Sequence, residues 1–223
     1  DAAIRYPVQA LHIHSGSQMK DLNIQRGALK ELRRIADTVN SVSPRKIKIL
    51  DIGGGLPTES LDEFTRMEAY GQMVREVFRD SEYLIVTEFG QWVHAEGGFA
   101  ITSIEYVLSP NKVFIHLGAD FFMRDAYTSA RSFPMSVWNG DATQLKGEER
   151  AYDIAGPLCF AGDYLGHGVA LPKGIQEGHY LFIDHTGANT YALWSRHCSR
   201  TLPATWAWNG NSMVKWSNRS TIG

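Results

Sequence analysis

The sequence has little cysteine, no long apolar run and almost no net charge, and each absence removes a class of protein. Two cysteines in 223 residues, Cys159 and Cys198, cannot build a disulfide framework, so a reducing, cytoplasmic setting is expected. No apolar run approaches the ~20 residues of a membrane span, and the N-terminus lacks the basic-then-apolar layout of a signal peptide. Lys and Arg number 22 against 24 Asp and Glu, a formal net charge of −2. That balance gives no electrostatic reason to expect nucleic acid or a membrane surface as partner. Internal repeats, low-complexity tracts and an obvious linker are also missing. The first residue is Asp1 rather than Met, and an apolar strand follows almost at once. The chain is therefore expected to be the later part of a longer polypeptide.

What is present is a strand–helix alternation followed by a strand-rich stretch. Residues 8–14 read as a buried strand, and Ser15-Gly16-Ser17 as the loop leaving it. Ile24, Ala28, Leu32, Ile35, Ala36 and Val39 recur at helical spacing until Pro44. A second apolar strand (Ile47, Ile49, Leu50, Ile52) runs into Gly53-Gly54-Gly55. A helix marked by Leu61, Phe64, Met67, Tyr70, Met73, Val74 and Val77 follows, then a third strand over 83–88. Polar residues and glycines gather at the C-terminal end of each strand. In parallel α/β layouts, barrel or open sheet, ligands sit at that end. From about residue 98 the segments are short, β-branched and aromatic: 99–107, 112–117, 180–183 and the surroundings of Trp206-Ala207-Trp208. This predicts an α/β domain over 1–95 and a mostly β domain over 96–223, joined across a short helix between Trp92 and Gly98.

Five clusters could carry chemistry. His12 and His14 share a strand face; they suit a core position, a ring stacked on an aromatic ligand, or zinc, but no third ligand stands near and no metal is expected. Gly53-Gly54-Gly55 reads either as a tight turn or as backbone N–H groups turned on an anion. Glu88 ends an apolar strand, where a buried carboxylate needs a cation or a proton donor as partner. Cys159 lies in a Gly/Pro-rich loop with Asp163 nearby, as a small hydrophobe or as a thiol that moves protons. The strand over 178–191 ends in a polar glycine turn containing Asn189.

Taken in order, these clusters resemble the fold type III (alanine-racemase-like) decarboxylases that use pyridoxal 5'-phosphate, the diaminopimelate and ornithine decarboxylases above all. Residues 11–18 resemble the family's His-x-His-x-Gly-Ser-Gln, and 51–57 its Asp-Ile-Gly-Gly-Gly-Phe-Pro. Glu88-Phe89-Gly90-Gln91 resembles Glu-Pro-Gly-Arg, and 156–163 resembles Gly-Pro-x-Cys-(Asp/Glu)-x-x-Asp. The turn at 186–189 resembles Gly-Ala-Tyr. The resemblance implies the C-terminal part of a (β/α)8 TIM-like barrel followed by a β-sandwich or β-barrel-like domain. It implies that His14 stacks on the pyridine ring and that Ser17 and the Gly53–Gly55 turn hold the phosphate, helped by Gln91, Asn189 and Tyr191. Glu88 would pair with the ring nitrogen. Cys159 would protonate the carbon that carbon dioxide leaves, in the neighbouring subunit's site, so a homodimer with shared active sites and a small amino-acid substrate are implied.

The departures bear on activity and substrate. No lysine here matches the one that anchors the family's cofactor, so the chain alone is expected to be inactive. Gln91 and Asn189 stand where the family has an arginine and a tyrosine, and they donate hydrogen bonds without positive charge. Phe160 replaces an acid that pairs with a distal amine, so the substrate's far end is expected to be atypical. Arg124 resembles a residue that holds a distal carboxylate. The alternative is a non-catalytic regulatory or binding homologue of the same fold.

Overall fold

The computed structural model describes residues 2–58, 63–108, 110–122 and 132–219. Arg124 and Leu61 lie outside them. The chain forms two compact units, Asp1–Ala95 and Glu96–Gly223.

Unit 1 opens with a short helix, α1 (Ala2–Arg5), and then alternates strand and helix. The elements are β1 (Ala10–His12), α2 (Leu22–Val42), β2 (Ile49–Asp51), α3 (Glu63–Val77), β3 (Leu84–Val86) and α4 (Gly90–His94). The strands form a parallel sheet in the order β1-β2-β3. Leu11, Leu50 and Ile85 stand in one row of the register, and His12, Asp51 and Val86 in the next. Side chains alternate across a sheet, so the first row faces one way and the second the other. Leu11, Ile13, Leu50, Ile52 and Ile85 pack with Leu29, Leu32 and Ala36 of α2 and with Tyr70, Met73 and Val77 of α3. Asp21 starts α2 by accepting the N–H of Asn23 at 2.8 Å.

Two expectations change here. The buried stripe of α2 runs through Gln25, Leu29, Leu32 and Ala36, while Ile24 and Ile35 are exposed. The strands are also not buried on both faces. Leu84 is 61 % and Val86 37 % exposed, because no described helix or strand of unit 1 covers the face that carries His12, Asp51 and Glu88.

Unit 2 is built on a six-stranded sheet in the order β6-β9-β4-β5-β7-β8. Its members are β4 (Ala100–Leu108), β5 (Lys112–Ile115), β6 (Met135–Trp138), β7 (Glu149–Ala155), β8 (Tyr164–Pro172) and β9 (Tyr180–Ile183). Strand β4 pairs with β9 through its first half and with β5 through its second, with a register shift between Ile104 and Tyr106. The edge strands β6 and β8 lie beside each other, so the sheet curls round one core centred on Ile104, Val113, Ile115, Phe122, Ile154, Leu181 and Ile183. A separate hairpin, β10 (Thr205–Trp208) and β11 (Met213–Ser217), leaves Trp216 80 % exposed. Strands β6, β7 and β8 escape a reading of the sequence. β7 opens on charged residues, and β8 contains Gly166 and Gly168, which dilute its apolar alternation.

Candidate active site

The loops that leave the three strands of unit 1 meet at the carboxyl end of the sheet. Ile13 N–H donates to Asp51 O at 3.0 Å, Ile52 N–H to Val86 O at 2.9 Å and Glu88 N–H to Gly53 O at 2.9 Å. Parallel pairing thus continues past the strands and brings the glycine turn between its neighbours. A Cβ on Gly53 would lie 2.5 Å from Ile13 O, one on Gly54 2.4 Å from Glu88 O, and one on Gly55 2.1 Å from Gly16 O. All three are closer than real Cβ contacts come, so the triplet is demanded by backbone approach on three sides. The amides differ. Gly53 N–H donates to Asp51 Oδ1 at 2.9 Å, Gly54 N–H points to His14 Nδ1 at 3.5 Å, and Gly55 N–H donates to no described residue.

Below the turn, on the uncovered face, His12 Nδ1 lies 3.2 Å from Asp51 Oδ2. One ligating atom each from His12, Asp51 and Glu88 all fall within 4.8 Å of one another. His14 and Glu88 are exposed. For Glu88 this corrects the expectation of burial: β3 bounds the sheet and has no described cover, so its terminal carboxylate faces solvent rather than a low-dielectric interior. Nothing in the sequence alone pairs His12 with Asp51; the parallel register makes them neighbours.

A second device holds the loops. Thr58 N–H donates to Gln18 Oε1 at 3.0 Å, and Gln18 Nε2 donates to Gln91 Oε1 at 3.0 Å and to Thr58 Oγ1 at 3.4 Å. Gln18 sits at φ 53, the left-handed region that costs a non-glycine residue energy. One buried amide therefore links the segments that follow all three strands. Ser17 lies on the same loop, and Met19 N–H donates to Gly55 O at 2.9 Å. Replacing Gln18 with Ala is expected to cost about 2 kcal/mol, since it leaves the Thr58 N–H without its acceptor; urea unfolding measures this.

In unit 2 the segments after β5, between β7 and β8, and after β9 converge. Asp163 is 3 % exposed, and its carboxylate accepts Ala119 N–H and Leu158 N–H, each at 2.6 Å. Burial raises its pKa from 3.8, against the pull of these two donors; the charge of Asp120 adds to the rise and that of Arg200 opposes it. Gly118 and Gly156 leave room for it, since a Cβ on either would strike its carboxylate oxygens. Asp163 therefore shapes the Cys159 loop from inside. Cys159 is exposed at its tip, with Sγ 3.6 Å from Cys198 Sγ. The Phe160 ring packs beside His197 at 5.7 Å between centroids. Hydrogen bonding to Cys159 is the main cause that raises the Cys198 thiol above its usual pKa. Neither His197 nor Cys198 was a candidate from the sequence, where no motif marks them.

Asp120, 4 % exposed, is bridged by Arg200 Nε at 3.0 Å, and Arg200 also donates to the carbonyl of His116. Arg200→Met is expected to destabilise by about 3 kcal/mol in thermal unfolding, because it strands a buried carboxylate. Asn189 is left-handed at φ 57, a conformation that Asn tolerates better than Tyr does. Tyr191 is half exposed and stands edge-on to Phe121 at 6.4 Å.

Comparison with known proteins adds the following. Residues 5–95 match the model for the pyridoxal-dependent decarboxylase, pyridoxal binding domain, and 92–187 that for the pyridoxal-dependent decarboxylase, C-terminal sheet domain. Diaminopimelate decarboxylase of Deinococcus radiodurans is 26 % identical over 97 % of this chain and 53 % of its own length. That of Pseudomonas aeruginosa is 28 % identical over 94 % and 49 %. The chain thus spans about half the length of the curated relatives it matches. Among solved structures, diaminopimelate decarboxylase from Helicobacter pylori complexed with L-lysine is similar at a TM-score of 0.78 and 23 % identity, covering 96 % of this chain and 52 % of that one. The Paramecium bursaria Chlorella virus arginine decarboxylase is similar at 0.69 and 22 % identity, over 86 % and 52 %. At these identities the structural likeness speaks to the fold.

Proposed function

The chain belongs to the pyridoxal-dependent decarboxylase family, and on that premise we propose that it forms part of an enzyme that releases the carboxyl group of an amino acid as carbon dioxide, with pyridoxal 5'-phosphate as cofactor. The observation that carries this reading is the uncovered face of the unit 1 sheet. It bears exposed apolar side chains, Leu84 and Val86, beside an acidic cluster and next to a glycine turn with an available amide. Such a face suits the lining of a closed barrel, and we read it so. Residues 1–95 are then the last strands of a (β/α)8 barrel, and the strands that complete it, with the lysine that anchors the cofactor, lie outside these 223 residues.

The residues present fit the group. Gly55 N–H, Gly54 N–H, Ser17 and the Gln91 amide would hold the phosphate. His14, exposed beside the turn, would lie against the ring. Glu88 would hold a proton at the ring nitrogen, with Asp51 close to the same point. When bound, the cofactor supplies the electron sink for the pair released as carbon dioxide leaves. Cys159, exposed on its loop, would supply the proton for the vacated carbon across a homodimer. Phe160 would stand toward the distal end of the substrate, which its ring cannot bind as an ammonium by ion pairing.

Full-length protein given pyridoxal phosphate is expected to develop the visible absorbance of the bound cofactor. It should release carbon dioxide from one member of a panel of diaminopimelate, lysine, ornithine and arginine, whereas the 223-residue chain alone should not. Absence of both signals in the full-length protein overturns the reading. Cys159→Ser should slow product formation by about 100-fold, the scale of a lost general acid, while cofactor absorbance persists. Undiminished turnover would remove that role.

A further inference from the structure

We propose that Cys159, Cys198 and His197 form a binding site for a thiophilic divalent cation of the zinc class, which competes with the proton-donor role of Cys159. One ligating atom from each of the three lies within 4.8 Å of the others. Tetrahedral zinc holds thiolates at about 2.3 Å, which sets two of them roughly 3.8 Å apart. The observed Sγ–Sγ separation is 3.6 Å, so the pair is already spaced for a shared ion.

The backbone explains how neighbouring residues can aim at one point. Adjacent side chains on regular backbone diverge, but Cys198 is left-handed at φ 53 and ψ 31, and Ser199 follows at φ 57. Left-handed backbone at non-glycine residues costs about 1–3 kcal/mol each and marks places where geometry serves something else. Here it brings the Cys198 thiol to Cys159 on the side that His197 occupies. The Phe160 ring beside His197 limits the freedom of the imidazole.

The charge balance suits a dication. Arg200 and Asp120, the charged groups that act on Cys198, are paired with each other at 3.0 Å, so they add little net field. On binding, both thiols lose their protons to solvent and form two metal–sulfur bonds. His197 contributes a neutral nitrogen lone pair, and the two thiolates cancel the charge of the ion. Both cysteines are exposed, which leaves the fourth position to water or another small ligand, as in three-ligand zinc sites. The prediction for activity follows from Cys159: a thiolate held by the ion has no proton to give.

Cobalt(II) titrated into the reduced full-length protein, without pyridoxal phosphate, tests this independently of the decarboxylase reading. The expected result is a near-ultraviolet thiolate-to-cobalt band that saturates at one equivalent, with two protons released, and that zinc bleaches. Cys198→Ser should abolish the band, and His197→Ala should weaken binding by roughly tenfold or more. Circular dichroism checks that each variant is folded. No thiolate band in folded protein whose Cys159 and Cys198 thiols are reduced overturns the proposal. So does a band unchanged by both substitutions.

Discussion

Gly55→Ala is expected to destabilise unit 1 by about 4 kcal/mol. Two causes add. Gly55 has φ +93, where an L side chain is strained by about 1–3 kcal/mol. Its new Cβ would also sit 2.1 Å from the carbonyl oxygen of Gly16, an overpacking of about 1–3 kcal/mol that only backbone movement relieves. The loop that must move carries Ser17 and Gln18, so a phosphate probe should bind less tightly as well. Gly54→Ala should cost less, because it meets Glu88 O at 2.4 Å without a positive φ. Gly90→Ala is the control: nothing lies within 4 Å of its Cβ, and its stability should stay within about 0.5 kcal/mol of the parent. Chemical denaturation followed by circular dichroism separates the three. A Gly55→Ala protein as stable as the Gly90→Ala protein would show that the loops do not nest as described.

Asp163→Ala is expected to cost about 3–5 kcal/mol and to release the Cys159 loop. The substitution removes the acceptor of two short backbone hydrogen bonds, each worth about 1.5–3 kcal/mol when the acceptor is charged. It also opens the space that Gly118 and Gly156 keep for the carboxylate. A pH signature distinguishes this loss from simple cavity formation. Burial raises the folded-state pKa of Asp163 above the ordinary 3.8, so the folded protein binds this proton more tightly than the unfolded chain does. Its linked contribution is therefore complete below the unfolded pKa and is lost as pH rises through the raised folded value. Removing the group should flatten stability against pH in that acid interval, and hydrogen exchange at Ala119 and Leu158 should accelerate. Unchanged exchange at both amides would show that the carboxylate does not hold the loop.

How much was legible follows from which interactions are local. The strand–helix alternation over 8–88 is legible because apolar residues repeat with the period of each element, and a chain that buries one face of each has few other arrangements. The clustering of polar residues at the strand ends is legible for the same reason. The position of His12 against Asp51 is not, since it depends on register across two strands joined by a 21-residue helix. Strands β6 to β8 are missed because part of each faces solvent or carries glycine, so hydrophobicity falls where pairing is maintained by the backbone.

The sequence by itself determined the family and the order of its motifs, because short runs such as 51–57 and 156–163 keep their chemistry wherever the chain places them. It determined the glycines, though not what surrounds them. Only the tertiary structure decided that Gly53–Gly55 is filled on three sides by neighbouring backbone, and that Glu88 stands exposed at a strand with no described cover. It alone brought Cys198 and His197 to Cys159 from some forty residues away. The physical reason is common to all three. Composition and period report what one segment prefers, whereas close approach, exposure and ligand geometry arise between segments, and only packing sets those distances.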